Sequence, residues 1–340
     1  MLRSAIGRVV AGEDLSREEA RLAVESIMRG EATPSQIAGL LVALRMKGET
    51  VDEIVGSAEA MRAAALRLHV AVDNLVDTCG TGGDGAGTFN ISTTAAFVVA
   101  GAGVPVAKHG NRAISSACGS ADVLEALGVT LLSEPERLAS CLAQAGIAFL
   151  FAPFQHPAMK HAVGPRRELA IRTIFNLLGP LTNPAGARRQ LVGVYDGGLV
   201  STLAEVLGRL GSERALVVHG AGGLDELSTL GPSQVAEWDG EGVRAYQIDP
   251  QQLGLPASEA DQLRGGSKEE NAATIRAVLE GREGPARDIV VLNAAAAIYA
   301  GGGVDSIETG LDVARESIDS GAAANCLAAL VRHTAAEESR

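Results

Sequence analysis

The stretch DTCGTGGDGAGTFNIST, residues 77–93, places glycines where a chain must approach a ligand closely and hydroxyls where a helix would begin. Bare amides at a helix start, joined by hydroxyl side chains, form a cradle for phosphate. Gly80, Gly82 and Gly85 spell a formal GxGxxG after a strand-like run, the pattern of a dinucleotide site. Two features oppose that reading. The next helix starts only near Ser92, and the following strand ends in Lys108 and His109, not in an acid suited to a ribose diol. No Gly-Lys-Ser or Gly-Lys-Thr follows, so the stretch is not a Walker A loop. A phosphate cradle remains, against the plainer alternative of a glycine-rich turn before a capped helix.

A second set of donors, KHGNRAISS, follows the strand-like VPVA: Lys108, His109, Gly110, Asn111, Arg112, Ala113, Ile114, Ser115 and Ser116. An ammonium and a guanidinium there could grip a diphosphate from the side opposite the glycines. Ser120 is expected to cap the helix SADVLEALG. Residues 155–190 form a basic island, with Lys160, Arg166, Arg167, Arg172, Arg188 and Arg189 against the single acid Glu168. Arg166 offers a planar fork that suits a carboxylate, while His156 and His161 read more readily as structural than as catalytic. Asp225 and Glu226, in GGLDELS, can face one ion on an irregular loop, and Mg²⁺ is commonly held by one or two carboxylates with substrate phosphates.

These segments need a scaffold that aims them at one crevice. Residues 1–70 hold three capping-box patterns, Ser16 with Glu19, Thr33 with Gln36 and Thr50 with Glu53, and no strand candidate, so an all-helical region is expected. From residue 74 short apolar runs alternate with Ala-rich helical stretches. Strands are expected at 75–78, 104–107, 147–151, 191–194, 215–219 and 289–292, with a hairpin within 231–250. Alternation of this kind builds an α/β fold whose mostly parallel or mixed central sheet gathers ligands at the carboxyl ends of its strands. Residues 251–287 read as polar surface and the tail HTAAEESR as a fraying helix end.

Composition narrows the function classes. Of 340 residues, 46% are apolar and 21% charged, enough to fold and too many for one small core. A net charge of −12 argues against a nucleic-acid binder. Four cysteines without a CxxC pair suggest reduced thiols in a cytoplasm, and neither a signal peptide nor a membrane span is expected.

GTGGD (80–84), NIST (90–93), KHGNRAISS (108–116), TIFNLLGPLTNP (173–184) and DELS (225–228) occur together in this order, and in that order they resemble the anthranilate phosphoribosyltransferase family over nearly the whole chain. The resemblance implies a small helical domain, residues 1–70 completed by helices from about 158–184, and an α/β domain, residues 71–340. It implies transfer of the phosphoribosyl group of 5-phosphoribosyl 1-diphosphate to the amine of anthranilate, with loss of diphosphate, in tryptophan biosynthesis. Gly80, Gly83, Asp84, Thr88, Asn90, Ile91, Ser92, Thr93, the nine residues from Lys108 to Ser116, and Ser120 would hold the donor. Ser92, Asp225 and Glu226 would coordinate Mg²⁺, two ions per subunit, and Gly80, Asn111, Arg166 and His109 would bind anthranilate. A homodimer through the helical domain is implied as well. Gly164-Pro165 departs from the family's usual Pro-Val before the paired arginines, although the spacing from His161 to Arg166 is kept. The alternatives are a pyrimidine nucleoside phosphorylase, which shares the two-domain plan, and a non-catalytic relative that binds nucleic acid.

Overall fold

The computed structural model describes residues 2–70, 72–113 and 117–335. All three capping boxes form: the hydroxyls of Ser16, Thr33 and Thr50 accept from Glu19, Gln36 and Glu53 amides, and each of those side chains accepts in return from its cap residue. They open α2 (Arg17–Met28), α3 (Pro34–Lys47) and α4 (Val51–Ala64), which follow α1 (Leu2–Val10). Glu53 is fully buried and still satisfied, accepting from the Leu15 and Thr50 amides and pairing with Lys47.

The α/β part runs β1 (Val76–Gly80), α5 (Ile91–Gly101), β2 (Val106–Gly110), α6 (Ser120–Ala126), α7 (Pro135–Ala145) and β3 (Ile147–Phe151). Four helices follow around one strand: α8 (Ala152–Gln155), α9 (Lys160–Leu169), α10 (Ile174–Leu178), β4 (Arg189–Gly193) and α11 (Val200–Arg209). Then come β5 (Arg214–His219), the hairpin β6 (Ser233–Trp238) and β7 (Val243–Ile248), and the helices α12 (Lys268–Leu279), α13 (Pro285–Ala300), α14 (Ile307–Asp319) and α15 (Ala322–Thr334). The seven strands lie in the order β3-β2-β1-β4-β5-β6-β7. β1 to β5 are parallel, and the hairpin adds an antiparallel edge. The mostly parallel mixed sheet expected from the sequence is therefore present.

One apolar cluster joins α5, α7 and α13 to α15 with one face of the sheet. The other runs without a break from α1–α4 through α9 and α10 to α11 and the opposite face of β4, β5 and β6. The bundle thus buries its apolar stripes against the sheet's own layer as well as against itself.

Residues 289–292 are not a strand. They lie in α13, whose residues 289–298 are all buried, and an apolar run surrounded by core on every side reads alike as strand or helix. Pro285 at its first turn was the usable signal. Residues 251–287 are not all polar surface, because α12 within them buries Ala272, Ile275, Val278 and Leu279 on one helical face. Residues 336–340 of the tail lie outside the described set. No described helix is long and apolar enough to cross a membrane.

Asp77 sits fully buried in β1, where the sequence shows only a short strand. Its carboxylate accepts from the His109 amide (3.1 Å) and from Asn183 Nδ2 (2.8 Å), while Asn183 Nδ2 also donates to the Ala107 carbonyl (2.8 Å). These bonds tie β1 and β2 to the loop before β4. Asn183→Ala should cost about 1–3 kcal/mol in urea unfolding, since it strands a buried acceptor. Asn183→Asp should cost more, because it sets a second carboxylate beside the first. Two variants as stable as the parent would contradict this role.

Candidate functional site

From β1 the chain steps outward to β2 and β3, then returns to lay β4 on the other side of β1. At such a reversal, connections diverge and leave a crevice at the carboxyl ends of the strands. Gly80 and Gly193 stand opposite each other there, as the last residues of β1 and β4. The loop after β5 folds back through a Gly220–Leu224 bridge and lays Asp225 and Glu226 over them. A Cβ on Gly80 would come within 2.3 Å of Asp225 Oδ2, and one on Gly193 within 1.5 Å of the Asp225 carbonyl, so both positions need glycine.

Backbone amides aim the two carboxylates. Gly82 donates to Asp225 Oδ2 (2.7 Å), and Ser92, in the first turn of α5, donates to Glu226 Oε1 (3.0 Å). The second bond seats a carboxylate at a helix N-terminus, where the macrodipole favours negative charge. Burial is still the larger effect. It pushes the Asp225 carboxyl up to about 7, helped by Asp84, and Glu226 up to about 8, helped by Asp225. The two groups titrate as a pair. Among the described residues no three His, Cys, Asp or Glu side chains form a closed metal cage. Two half-buried, amide-aimed carboxylates beside an open glycine loop are what a cation completing its shell with ligand oxygens would fit.

Gly82, Gly83, Gly85 and Gly87 all have positive φ, a backbone that residues with side chains rarely adopt. The loop is anchored at both ends. Arg172 donates to the Gly83 carbonyl and stacks on Tyr195 at 3.9 Å. Thr88 bridges to Arg264, and the Phe89 amide donates to the Leu263 carbonyl (3.1 Å). Asn90 holds the Cys118 carbonyl (3.1 Å) and accepts from Asn271 (3.0 Å), while Asp84 accepts from the Ala86 amide (3.2 Å). Ile91 and Thr93 are buried, and the Ile91 amide donates to the Phe89 carbonyl (2.8 Å).

Several expected donors face elsewhere. Lys108 is buried, with its ammonium donating to the Thr78 carbonyl and to Ser92 Oγ (3.2 Å). It lies between the carboxylates of Asp77 and Glu226 and fixes the Ser92 hydroxyl, so it does not project into the crevice. Arg112 is committed to Asp122 (3.0 Å) and Glu125 (2.6 Å) of α6. Ser120 is not the cap of α6. Gly119 holds that position, the Asp122 carboxylate accepts from the Ala113 and Gly119 amides, and Ser120 Oγ donates to the Asn111 carbonyl (3.2 Å). Asn111 Oδ1 caps the Arg112 amide (2.8 Å). Gly110 is as tightly placed, since a Cβ there would meet Ser120 Oγ at 2.2 Å. Ile114, Ser115 and Ser116 lie outside the described residues.

The basic island closes the crevice on its bundle side. His156 packs on His109, ring centroids 5.1 Å apart, and burial lowers His109 to about 3 and His156 to about 4, so both rings are neutral near pH 7. His109 Nε2 has no partner among the described residues. His161 lies over Gly30 instead. Between the His156 and Arg172 tethers lies Arg166, whose guanidinium stacks on Phe175 at 5.4 Å and makes no ion pair among the described residues. Burial lowers its pKa, the mark of a cation short of a counter-charge. Asp77, Asn183 and Arg172 were missed as site supports. A carboxylate inside an apolar strand was the one signal that could have found the first of them.

The glycosyl transferase family's helical bundle domain matches residues 3–65, and that family's a/b domain matches residues 72–324. Anthranilate phosphoribosyltransferase of Moorella thermoacetica is 59% identical over 97% of this chain and 98% of its own length. The enzyme of that name from Pelotomaculum thermopropionicum is 57% identical over 98% and 97%. The crystal structure of anthranilate phosphoribosyltransferase from Thermus thermophilus superposes with a TM-score of 0.93 at 49% identity, over 98% of this chain and 99% of that one. The Saccharomyces cerevisiae enzyme in complex with PRPP and Mg does so with a TM-score of 0.90 at 27% identity, over 98% and 97%.

The raised carboxyls set a pH signature. A carboxyl with a raised folded pKa stabilises the fold fully below its unfolded value of about 4, and that contribution fades as pH rises through the folded value. The depressed histidines act oppositely, contributing above their unfolded value of about 6.5 and losing it as pH falls. Above pH 6.5 only the carboxyl effect remains of the two. Without metal, calorimetry should show stability falling from pH 6.5 to 8.5, and Mg²⁺ should raise Tm by at least about 2 °C more at the upper end. Asp225→Asn with Glu226→Gln should flatten the slope, and a slope shared by parent and double variant would contradict the assignment.

Proposed function

This chain belongs to the anthranilate phosphoribosyltransferase family, and we propose on that footing that it transfers the phosphoribosyl group of 5-phosphoribosyl 1-diphosphate to the amine of anthranilate, releasing diphosphate, in tryptophan biosynthesis. The observation that carries the reading is the pair of half-buried carboxylates held by the Gly82 and Ser92 amides beside a loop of glycines with positive φ. A neutral ligand would gain little from that arrangement. A polyanion with a divalent cation satisfies the amides and the carboxylates together.

In this reading the glycine loop around Gly80 and Gly83 and the positive end of α5 bind the donor's phosphates, with Asp84, Thr88 and Asn90 fixing the loop. Gly110 and Asn111, with Ser120, line the other side, where Asn111 presents its exposed side chain, and the family resemblance assigns Ile114, Ser115 and Ser116 to the donor as well. Asp225, Glu226 and the Ser92 hydroxyl would hold Mg²⁺, two ions per subunit, which when bound supplies positive charge against the departing diphosphate. Lys108 orients that hydroxyl from beneath. Arg166 takes the carboxylate of anthranilate, and Gly80, Asn111 and the neutral His109 form the rest of its pocket. Because leaving-group loss builds positive charge on the ribose, alignment and charge compensation suffice and no protein nucleophile is required. Division into residues 1–70 and 71–340, residence in the cytoplasm and a homodimer through the helical domain belong to the same proposal. Val10 and Met46 are exposed apolar side chains on that bundle.

Arg166→Ala should raise the KM for anthranilate about 10- to 100-fold with little change in the KM for the donor, the effect of losing a charged hydrogen-bond pair. Asp225→Ala with Glu226→Ala should remove Mg²⁺-dependent turnover. Steady-state assays following the loss of anthranilate fluorescence check both. Phosphorolysis of thymidine in place of this activity would overturn the reading.

A further inference from the structure

The site described above uses the carboxyl ends of the strands. At their amino ends lies a separate cavity of about 310 Å³, between the segment that leaves α4 and the loops before β4 and β5. Its wall carries Arg62, Arg67, His69 and Arg188 and no carboxylate. That is an uncommon concentration of cations in a chain of net charge −12.

Arg62 is held rigidly: Nε donates to the Leu181 carbonyl (2.7 Å) and one terminal nitrogen to the Leu210 carbonyl (3.0 Å). It makes no ion pair among the described residues, and its neighbour Glu59 is engaged by Arg17. Burial pushes the Arg62 pKa down to about 10, so the guanidinium stays charged while short of water and of a counter-ion. Arg67 and His69 are exposed at the rim and make no ion pair among the described residues. Arg188 donates to the Gly211 carbonyl (3.0 Å) and pairs with Glu213 (3.0 Å), which lies outside the cavity wall. The linker is pinned across the cavity mouth, with the Leu66 amide on the Gln155 carbonyl (2.8 Å) and the Leu68 amide on the Pro184 carbonyl (3.0 Å).

We propose that this cavity is a second anion site, which binds a small multiply charged oxyanion of the phosphate or diphosphate type. The volume admits a small metabolite. Three guanidiniums around one concavity exceed what a single carboxylate can balance, whereas forked donors match phosphate oxygens. An occupant would clamp Arg62 of the bundle to Arg188 of the sheet layer. It would also touch Asn183, whose amide holds Asp77 and the end of β2.

The test titrates the full chain in EDTA with inorganic phosphate and, separately, with diphosphate, followed by calorimetry. Saturable binding near about 1 mM is expected for at least one of the two, weakened at least about tenfold in Arg67→Gln with Arg188→Gln, both solvent-facing positions. No binding of either anion, or the same affinity in parent and variant, overturns the proposal. If the double variant fails to fold, parent crystals soaked in tungstate decide: an anomalous peak beside Arg62 and Arg188 supports the site, and a cavity without one refutes it.

Discussion

Two carboxylates held side by side and partly shielded from water are the constraint from which the rest of this molecule follows. Asp225 and Glu226 repel each other and are partly withdrawn from solvent, and the amides of Gly82 and Ser92 and the nearby ammonium of Lys108 relieve them. Removing ions from water is costly unless partners compensate, so such a pair persists where something regularly arrives to balance it. Their position also dictates glycine at 80 and 193, since any side chain there would displace Asp225. A glycine-rich loop is thus first a steric necessity and then a ligand cradle.

The fold serves that pair by placing it at the reversal between β1 and β4 and closing the crevice with a segment that belongs to neither layer alone. Residues 156–175 touch the site through His156 on His109 and Arg172 on Gly83, while α9 and α10 share the apolar cluster of the bundle. Motion of the bundle against the sheet therefore bears on Arg166 and on the glycine loop together. Desolvation keeps His109 and His156 uncharged, so Arg166 is the cation of that wall that can meet a carboxylate at neutral pH.

Features governed by local chemistry were legible in the sequence. The capping boxes at Ser16, Thr33 and Thr50 depend on residues three apart and formed as expected, and β3 occupies residues 147–151 as read. Expectations failed where long-range packing decides. Residues 289–292 are apolar on all sides because α13 is buried on all sides, and periodicity carries no information there. The motifs located the crevice but not the direction of its side chains. Lys108 is buried because β2 is covered on both faces, and Arg112 found acids in α6 that sequence distance alone does not pair with it. Asp77 and Asn183 lie 106 residues apart and meet only in the folded chain.

The most direct test is a crystal structure of this chain grown with 5-phosphoribosyl 1-diphosphate and Mn²⁺, with the metal located by its anomalous signal. The account predicts manganese at about 2.0–2.3 Å from the Asp225 and Glu226 carboxylates, with the diphosphate on the glycine loop at Gly83. Manganese bound away from both carboxylates, or a diphosphate that leaves the glycine loop uncontacted, would contradict it.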